Sequence, residues 1–497
     1  MTRVDVSKNI WHLTTSLMMT SVFTYIFWFF TAKVAGPQAI GVASYLSSLT
    51  MIITTLDVLD MSLGMKRSLG VSISHNDLDK FKEILTSTTI FVSIIVASTV
   101  FIIEIPTLHL LELLKIDKQY EPVFIAQIVA SPFQIIFTEA LIAALRAKDL
   151  QIPLILGALV RFPLLAISVY VFKTPIMGTV IAYPMLTFIV AILYGFFSFR
   201  IFRNTTGRVS HNFFSNVKHV LLAGLASWFP HVIYVLGAQL GLVTIVASSG
   251  ASQGGKFYLA LGIFLVMLFI VMGISRVIHS SISSISNNDE QAKLLSDYMR
   301  MAFMFTIPLA APLLFFAKNF MSLMGQEYAS ASSALTIFMI GIPLSIISEM
   351  VYYFTYGKGD HKTVLYLGVT GNVPRILLYF ILPPILEVDG AAIAYVTGSA
   401  SQLILSIYIL KGHLLKIEFK KFTLLTIIPV SIGFVVWTMQ IHYIFSTIII
   451  IFASALTYVR FHLFTDNELR NILYMILPSH RAEKIYPKLS KVMRRIN

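Results

Sequence analysis

Apolar runs of about twenty residues follow one another along nearly the whole chain, parted by short polar segments. A helix needs about 20 such residues to cross the ~30 Å hydrocarbon core of a bilayer. Hydropathy predicts about 14 spans: 11–32, 41–65, 86–106, 122–145, 152–173, 176–199, 219–247, 257–279, 299–319, 332–356, 363–386, 390–410, 422–440 and 442–463. Many contain proline: Pro132, Pro163, Pro184, Pro230, Pro308, Pro343, Pro374 and Pro429. Membrane helices tolerate proline where neighbours re-satisfy the backbone, and such sites often mark bends around a cavity. The expected fold class is an all-α polytopic membrane protein.

The pattern also repeats. Thr138-Glu139, Leu156-Gly157, Pro163 and Gly178-Thr-Val-Ile-Ala-Tyr183 return as Ser348-Glu349, Leu367-Gly368, Pro374 and Gly390-Ala-Ala-Ile-Ala-Tyr395, at an offset of about 210–212 residues. That offset carries six spans. An even number of crossings keeps the two copies in the same orientation, so their pseudo-twofold axis runs along the membrane normal, as in many transporters. Gly36-Pro37-Gln-Ala-Ile-Gly41 after the first span and Gly250-Ala-Ser-Gln-Gly-Gly255 after the seventh fit that register. The expected organisation is an N-lobe at 1–205 (spans 1–6), a C-lobe at 206–415 (spans 7–12), two extra spans at 416–463 and a basic amphipathic tail at 464–497. In the tail, Leu469, Ile472, Leu473 and Ile476 share one side and suit the inner membrane surface. A docking site for a cytosolic partner is the alternative.

Composition agrees. The chain is 57% hydrophobic and 12% charged, with mean hydropathy +0.80, where soluble domains carry about a quarter charged residues. The net charge of +13 raises nucleic acid as a partner, but its distribution argues otherwise. With the N-terminus inside, inner segments hold about 29 Lys and Arg, and outer ones about six: Lys33, Lys115, Lys118, Lys173, Lys256 and Lys318. The positive-inside rule therefore puts both termini in the cytoplasm of a multi-pass cell-membrane protein. The first run, Trp11 to Ala32, is too long for a signal-peptide core and reads as a retained helix. There are no cysteines, which removes thiol catalysis and thiolate metal sites. The sequon Asn204-Thr-Thr206 falls on the inner side and is expected to be silent.

Several segments carry a resemblance. Ala32-Lys-Val-Ala-Gly-Pro-Gln-Ala-Ile-Gly41 and Asp60-Met-Ser-Leu-Gly64 resemble the first loop and the end of the second span in polysaccharide-exporting flippases of the MATE/MOP (multidrug/oligosaccharidyl-lipid/polysaccharide) exporter superfamily. Met324-Gly325-Gln-Glu-Tyr328-Ala-Ser-Ala331, just before span 10, and Gly390-Ala-Ala-Ile-Ala394, at span 12, are similar to the corresponding segments of that group. The resemblance implies a flippase that moves lipid-linked oligosaccharide, on a polyprenyl phosphate or pyrophosphate carrier, from the cytoplasmic to the outer leaflet during polysaccharide biosynthesis. It also implies membrane lipids, a glycan polymerase or glycosyltransferases as partners, and a monomer. No cofactor is expected beyond coupling to H⁺ or Na⁺.

Ionisable residues inside spans are costly and point to function. Arg161 lies about ten residues into span 5 and Arg375 about twelve into span 11, both near the midplane. In the repeat register Arg161 aligns with Asn372 and Arg375 with Leu164, so the arginines sit about one turn apart on a common face, aimed at one cleft. A guanidinium suits bidentate phosphate binding and stays charged in a dry site. The alternative is structural glue with a nearby acid. Glu139 and Glu349, at equivalent positions, are read either as coupling-ion carriers or as partners of the arginines. Asp57 and Asp60 either line the inner mouth of the cleft or, for Asp60, face Lys66 and Arg67 at a helix end. His231 is a titratable candidate or a hydrogen-bonded core histidine. Tyr25, Trp28, Tyr234 and Tyr258 read as interfacial anchors, with sugar stacking as the alternative.

Two transporters of the same superfamily compete with the flippase: a cation-coupled multidrug exporter, expected to have an acidic cleft and 12 spans, and a peptidoglycan-precursor flippase, expected to cluster arginines in its first two spans. An enzyme is disfavoured. The outer loops are short, and there is no P-loop, zinc-type histidine spacing or nucleophile elbow.

Overall fold

The computed structural model describes residues 3–201, 212–282, 285, 287–413, 419–463, 483, 486 and 487. The tail positions Leu469, Ile472, Leu473 and Ile476 and the sequon lie outside these. Regular structure among the described residues is entirely helical. The α helices are α1 (Arg3–Val58), α2 (Met61–Ser74), α3 (Leu78–Glu104), α4 (Leu110–Leu113), α5 (Glu121–Ala143), α6 (Ala147–Tyr170), α7 (Pro175–Ala182), α8 (Met185–Ile201), α9 (Phe213–Ser249), α10 (Ala251–Ile282), α11 (Asn288–Phe315), α12 (Ala317–Ser322), α13 (Ser332–Gly357), α14 (His361–Ile381), α15 (Pro383–His413), α16 (Phe419–Thr438) and α17 (Tyr443–Arg460).

Helix is what an apolar solvent demands, because every backbone polar group must be satisfied within the segment. Many buried hydroxyls are satisfied by bonding back one turn: Thr31 to Phe27 O (2.7 Å), Thr50 to Leu46 O (2.9 Å), Ser275 to Val271 O (2.8 Å) and Thr355 to Val351 O (2.8 Å). Asp77 caps α3 by accepting from Lys80 N at 2.8 Å. Large apolar side chains such as Phe101 (69%), Ile192 (70%) and Ile404 (72%) stand open on helix surfaces. In water that exposure would be costly; in a bilayer these positions face acyl chains.

Among the described residues, thirteen helical stretches are long and apolar enough to cross a membrane. The first, Thr20–Val58, is interrupted at Gly36 (φ 77°, ψ 177°), a left-handed position that glycine adopts without a Cβ penalty. Counted on either side of that break, the stretches among the described residues number fourteen, and the chain is a multi-pass membrane protein.

Two breaks matter for the site. Span 2, expected to run to residue 65, leaves the helix at Leu59 (φ 49°) and Asp60 (φ 51°) and then continues as α2 to Ser74. Span 6 is likewise two pieces, α7 and α8, parted at Tyr183-Pro184.

The chain divides into two compact units, Met1–Leu259 with Tyr379–Ala391, and Ala260–Leu378 with Ala392–Asn497. The first unit thus takes in span 7, which the repeat register counts with the second lobe. Its main core gathers Met61, Leu69, Phe81, Phe137, Leu150, Tyr194 and Val220 from α2, α3, α5, α6, α8 and α9. In the second unit a smaller cluster of Ala311, Phe316 and Ile450 seats α17 against α11.

Candidate functional site

Arg161 is 1% exposed on α6. Its Nη2 donates to Thr24 Oγ1 at 3.1 Å, and its guanidinium lies 5.2 Å from the Phe27 ring and 5.8 Å from the Tyr183 ring. Trp28 packs on Tyr183 (4.6 Å) and on Tyr258 (5.0 Å). Trp28 is 5% exposed, so the interfacial-anchor expectation fails for it: the indole is part of an aromatic wall beside Arg161. Tyr25 and Tyr234 are exposed.

Arg375 is 8% exposed on α14. Its guanidinium sits 3.8 Å from the centre of the Tyr395 ring. Nη2 donates to Ser399 Oγ at 3.3 Å, and Nη1 to Asn372 Oδ1 at 3.4 Å. Asn372 also donates to Gly368 O at 2.9 Å, so it fixes Arg375 rather than mirroring Arg161. Among the described residues no carboxylate oxygen comes within 4.0 Å of either guanidinium. In each arginine Nε has no hydrogen-bond partner.

Tyr183 and Tyr395 are the last residues of the two Gly-x-x-Ile-Ala-Tyr repeats. Each half therefore holds its own arginine against the same repeat-equivalent ring, although the arginines start one turn apart in the register. A desolvated cation–π contact contributes about 2 kcal/mol. That lowers the cost of a buried charge without cancelling it.

The acids separate into distinct environments. Glu139 pairs with Lys66 at 3.1 Å, not with Arg161. Glu349 is near enough for its charge to act on Arg375 but forms no ion pair within 4.0 Å among the described residues. Among the described residues Asp60 forms no ion pair within 4.0 Å with Lys66 or Arg67. It accepts from Ser227 and Ser62 and lies 3.4 Å from His231 Nδ1. His231 is accordingly not a core histidine; its side chain is 43% exposed and points at a carboxylate. Asp57 is 7% exposed, accepts from Thr99 Oγ1 of α3 at 2.8 Å, and has a buried Oδ2 without a partner.

Span 2 and α9 are stitched along their length by Ser48 to Gln239 (2.8 Å), Trp228 to Thr55 O (3.0 Å) and the Asp60–Ser227–His231 contact. Two glycines allow the approach. Gly64 rests on the backbone of Val220, and a Cβ at Gly224 would lie 2.7 Å from Asp60 O. Below this seam a cavity of about 730 Å³ is lined by Arg67, Ser72, Lys80, Asn216 and His219.

Sequence reasoning missed Tyr183, Tyr395, Thr24 and Ser399 as partners of the arginines. The repeat did contain the signal for both tyrosines, which read there as scaffold.

Neither known family models nor curated proteins match this sequence. Solved structures do match its fold. An inward-facing multidrug resistance MATE family transporter of the MOP superfamily aligns with TM-score 0.68 at 15% identity, over 81% of this chain and 97% of its own. The lipid II flippase MurJ, in an inward closed conformation, aligns with TM-score 0.68 at 13% identity, over 91% of this chain and 99% of its own. MATE in the bent conformation aligns with TM-score 0.56 at 16% identity, over 82% of this chain and 95% of its own. The 9% left out of the MurJ alignment is about 45 residues, fewer than the 82 from 416 to 497, so that alignment reaches beyond span 12. The chain shares its fold with MATE transporters and with MurJ.

Proposed function

We propose that this protein is a flippase for lipid-linked oligosaccharide, carrying the sugar-phosphate headgroup on a polyprenyl phosphate or pyrophosphate from the cytoplasmic to the outer leaflet by alternating access of its repeat halves. The observation that carries the proposal is the pair of buried arginines, each on a tyrosine ring and neither in an ion pair. An anionic headgroup supplies the charge that each guanidinium lacks, through bidentate hydrogen bonds to phosphate or acidic sugar. The aromatic wall of Trp28, Tyr183 and Tyr258 offers flat faces for sugar rings. The cavity lined by Arg67, Lys80 and His219 suits the approach of the same anionic cargo. The MurJ likeness supports a lipid-linked cargo in general, since that protein is a lipid II flippase and the alignment extends past the twelve-span portion.

The MATE likeness keeps a drug exporter as the second reading. Cationic drugs would be repelled by two buried arginines that form no ion pair within 4.0 Å among the described residues, which favours the flippase. Carrier chemistry also makes an enzymatic role unnecessary. The test is reconstitution into liposomes with defined lipid-linked oligosaccharides. Arg161→Ala and Arg375→Ala should each cut flipping severely, while wild-type rates in both would remove the arginine proposal. In the host, deletion should trap loaded carrier lipid in the inner leaflet; unchanged surface glycan without a paralogue would count against the function.

A further inference from the structure

We infer that the cavity beyond the break in span 2, between α2, α3 and α9, is a phosphate-binding site, for the headgroup of an anionic lipid or for free phosphate. Neither Arg161 nor Arg375 lines it, and binding there does not rest on the flippase reading. Lysine and arginine gather at the cytoplasmic ends of membrane helices in general, so charge alone decides nothing. Shape, donor content and backbone decide it together.

The cavity holds about 730 Å³, within the ~300–1,000 Å³ range of small-molecule sites. Three helix faces converge on it: Arg67 and Ser72 come from α2, Lys80 from α3, and Ser215, Asn216 and His219 from α9. No acid lines it, and α2 and α9 contain none. On α3, Glu83 pairs with Lys80 at 3.3 Å. Arg67 and His219 form no ion pair within 4.0 Å among the described residues.

Asn216 is the informative residue. It is 5% exposed. Its Oδ1 accepts from Lys80 Nζ at 2.9 Å, which fixes the amide and leaves Nδ2 as the donor end; Nδ2 is buried with no partner. A buried donor without an acceptor is costly, and an anionic oxygen is the acceptor that the surrounding cations also call for. The backbone points the same way. Ser215 and Asn216 belong to the first turn of α9, and Asn212 before it makes no side-chain cap. Amides of a first turn carry the positive end of the helix dipole, and phosphate groups bind at such ends. The Arg67 guanidinium suits the same oxygens through bidentate hydrogen bonds. Donors approach from three helices. A tetrahedral phosphate presents oxygens in as many directions, whereas a planar carboxylate presents two in one plane. Basic pockets between membrane helices on the cytoplasmic side hold lipid phosphates in this way.

The test uses the purified full-length protein in nanodiscs, with no lipid-linked sugar present. Melting temperature is followed as sodium phosphate replaces sodium chloride at constant ionic strength and pH in phosphatidylcholine discs. In a second series phosphatidic acid replaces phosphatidylcholine at fixed chloride. A ligand that binds the folded state raises the melting temperature. The wild type should show a saturable rise in at least one series. A rise with inorganic phosphate identifies a soluble source, and a rise with phosphatidic acid alone identifies a lipid headgroup. Arg67→Gln should move the midpoint to about tenfold higher phosphate or more. Asn216→Asp is isosteric and can pair with Lys80, so it should fold, yet it sets a like charge against the phosphate and should lose the rise. Arg200→Gln removes an equal charge outside the cavity and should keep it. No rise in either series overturns the site. So does an equal rise in wild type, Arg67→Gln and Asn216→Asp, which is the signature of general salt effects. If Asn216→Asp does not fold, equal midpoints in Arg67→Gln and Arg200→Gln overturn it. Because neither probe carries a sugar, failure here is separable from failure of the flippase proposal.

Discussion

Tyr183 and Tyr395 occupy the same place in the repeat, yet the arginines they hold do not. Arg161 reaches its ring at 5.8 Å with help from Phe27 and Thr24, while Arg375 lies 3.8 Å above Tyr395 and is fixed by Asn372 and Ser399. The tighter pair should be the more sensitive. A desolvated cation–π contact of about 1–2 kcal/mol corresponds to about a 5- to 30-fold change. Tyr395→Leu should therefore lower headgroup affinity by about that factor in a binding assay with lipid-linked sugar, and Tyr395→Phe should keep most of it. Arg375→Lys should behave like a loss, because an ammonium cannot stack as a planar guanidinium does. Glu139 belongs to a different class. Lys66 already neutralises it, and Lys66 is half exposed, so the pair contributes at most about 1 kcal/mol. Glu139→Gln should lower the melting temperature only slightly and leave the ion dependence of transport unchanged. A lost ion response in that variant would return Glu139 to the coupling role.

Repeat-equivalent elements are not used equivalently either. Leu156-Gly157 and Leu367-Gly368 correspond in sequence, but a Cβ at Gly157 would come within 2.9 Å of the Leu186 side chain and 3.0 Å of its Cα, whereas one at Gly368 meets nothing within 4 Å. Gly157→Ala should force α6 and α8 apart at a cost of about 1–3 kcal/mol. Gly368→Ala should be neutral or slightly stabilising. Thermal unfolding of the two variants side by side checks the contrast, and equal losses would contradict it. The break between α1 and α2 is the other element-scale feature. Its left-handed residues are costly away from glycine, and α9 compensates through Ser227, His231 and the close approach at Gly224. Non-helical backbone persists at membrane depth only where protein covers it.

Across the molecule, orientation is the property with the simplest test, because the chain has no cysteine. Arg67→Cys and Lys118→Cys both introduce an exposed thiol. An impermeant maleimide on intact cells should label position 118 and spare position 67 until the membrane is opened. The reverse pattern would invert the topology. The number of spans and the twofold repeat were legible from sequence because they depend on hydropathy and period, which are local and additive along the chain. The last two spans were legible for the same reason.

The partners of the intramembrane charges were not legible. Lys66 was expected beside Asp60 and instead pairs with Glu139, because the helix turns left-handed at Leu59 and Asp60 and rotates everything after it. His231 meets Asp60 across 171 positions of sequence, and Thr99 meets Asp57 across 42. Trp28 looked like an interfacial anchor until tertiary packing enclosed it with Tyr183 and Tyr258. The sequence by itself determined the apolar solvent, the helices and the repeat, since each follows from composition and period. Only the tertiary structure decided which charges are compensated. A burial cost is fixed by a residue's own chemistry, but its compensation depends on which side chain another helix brings within about 3 Å.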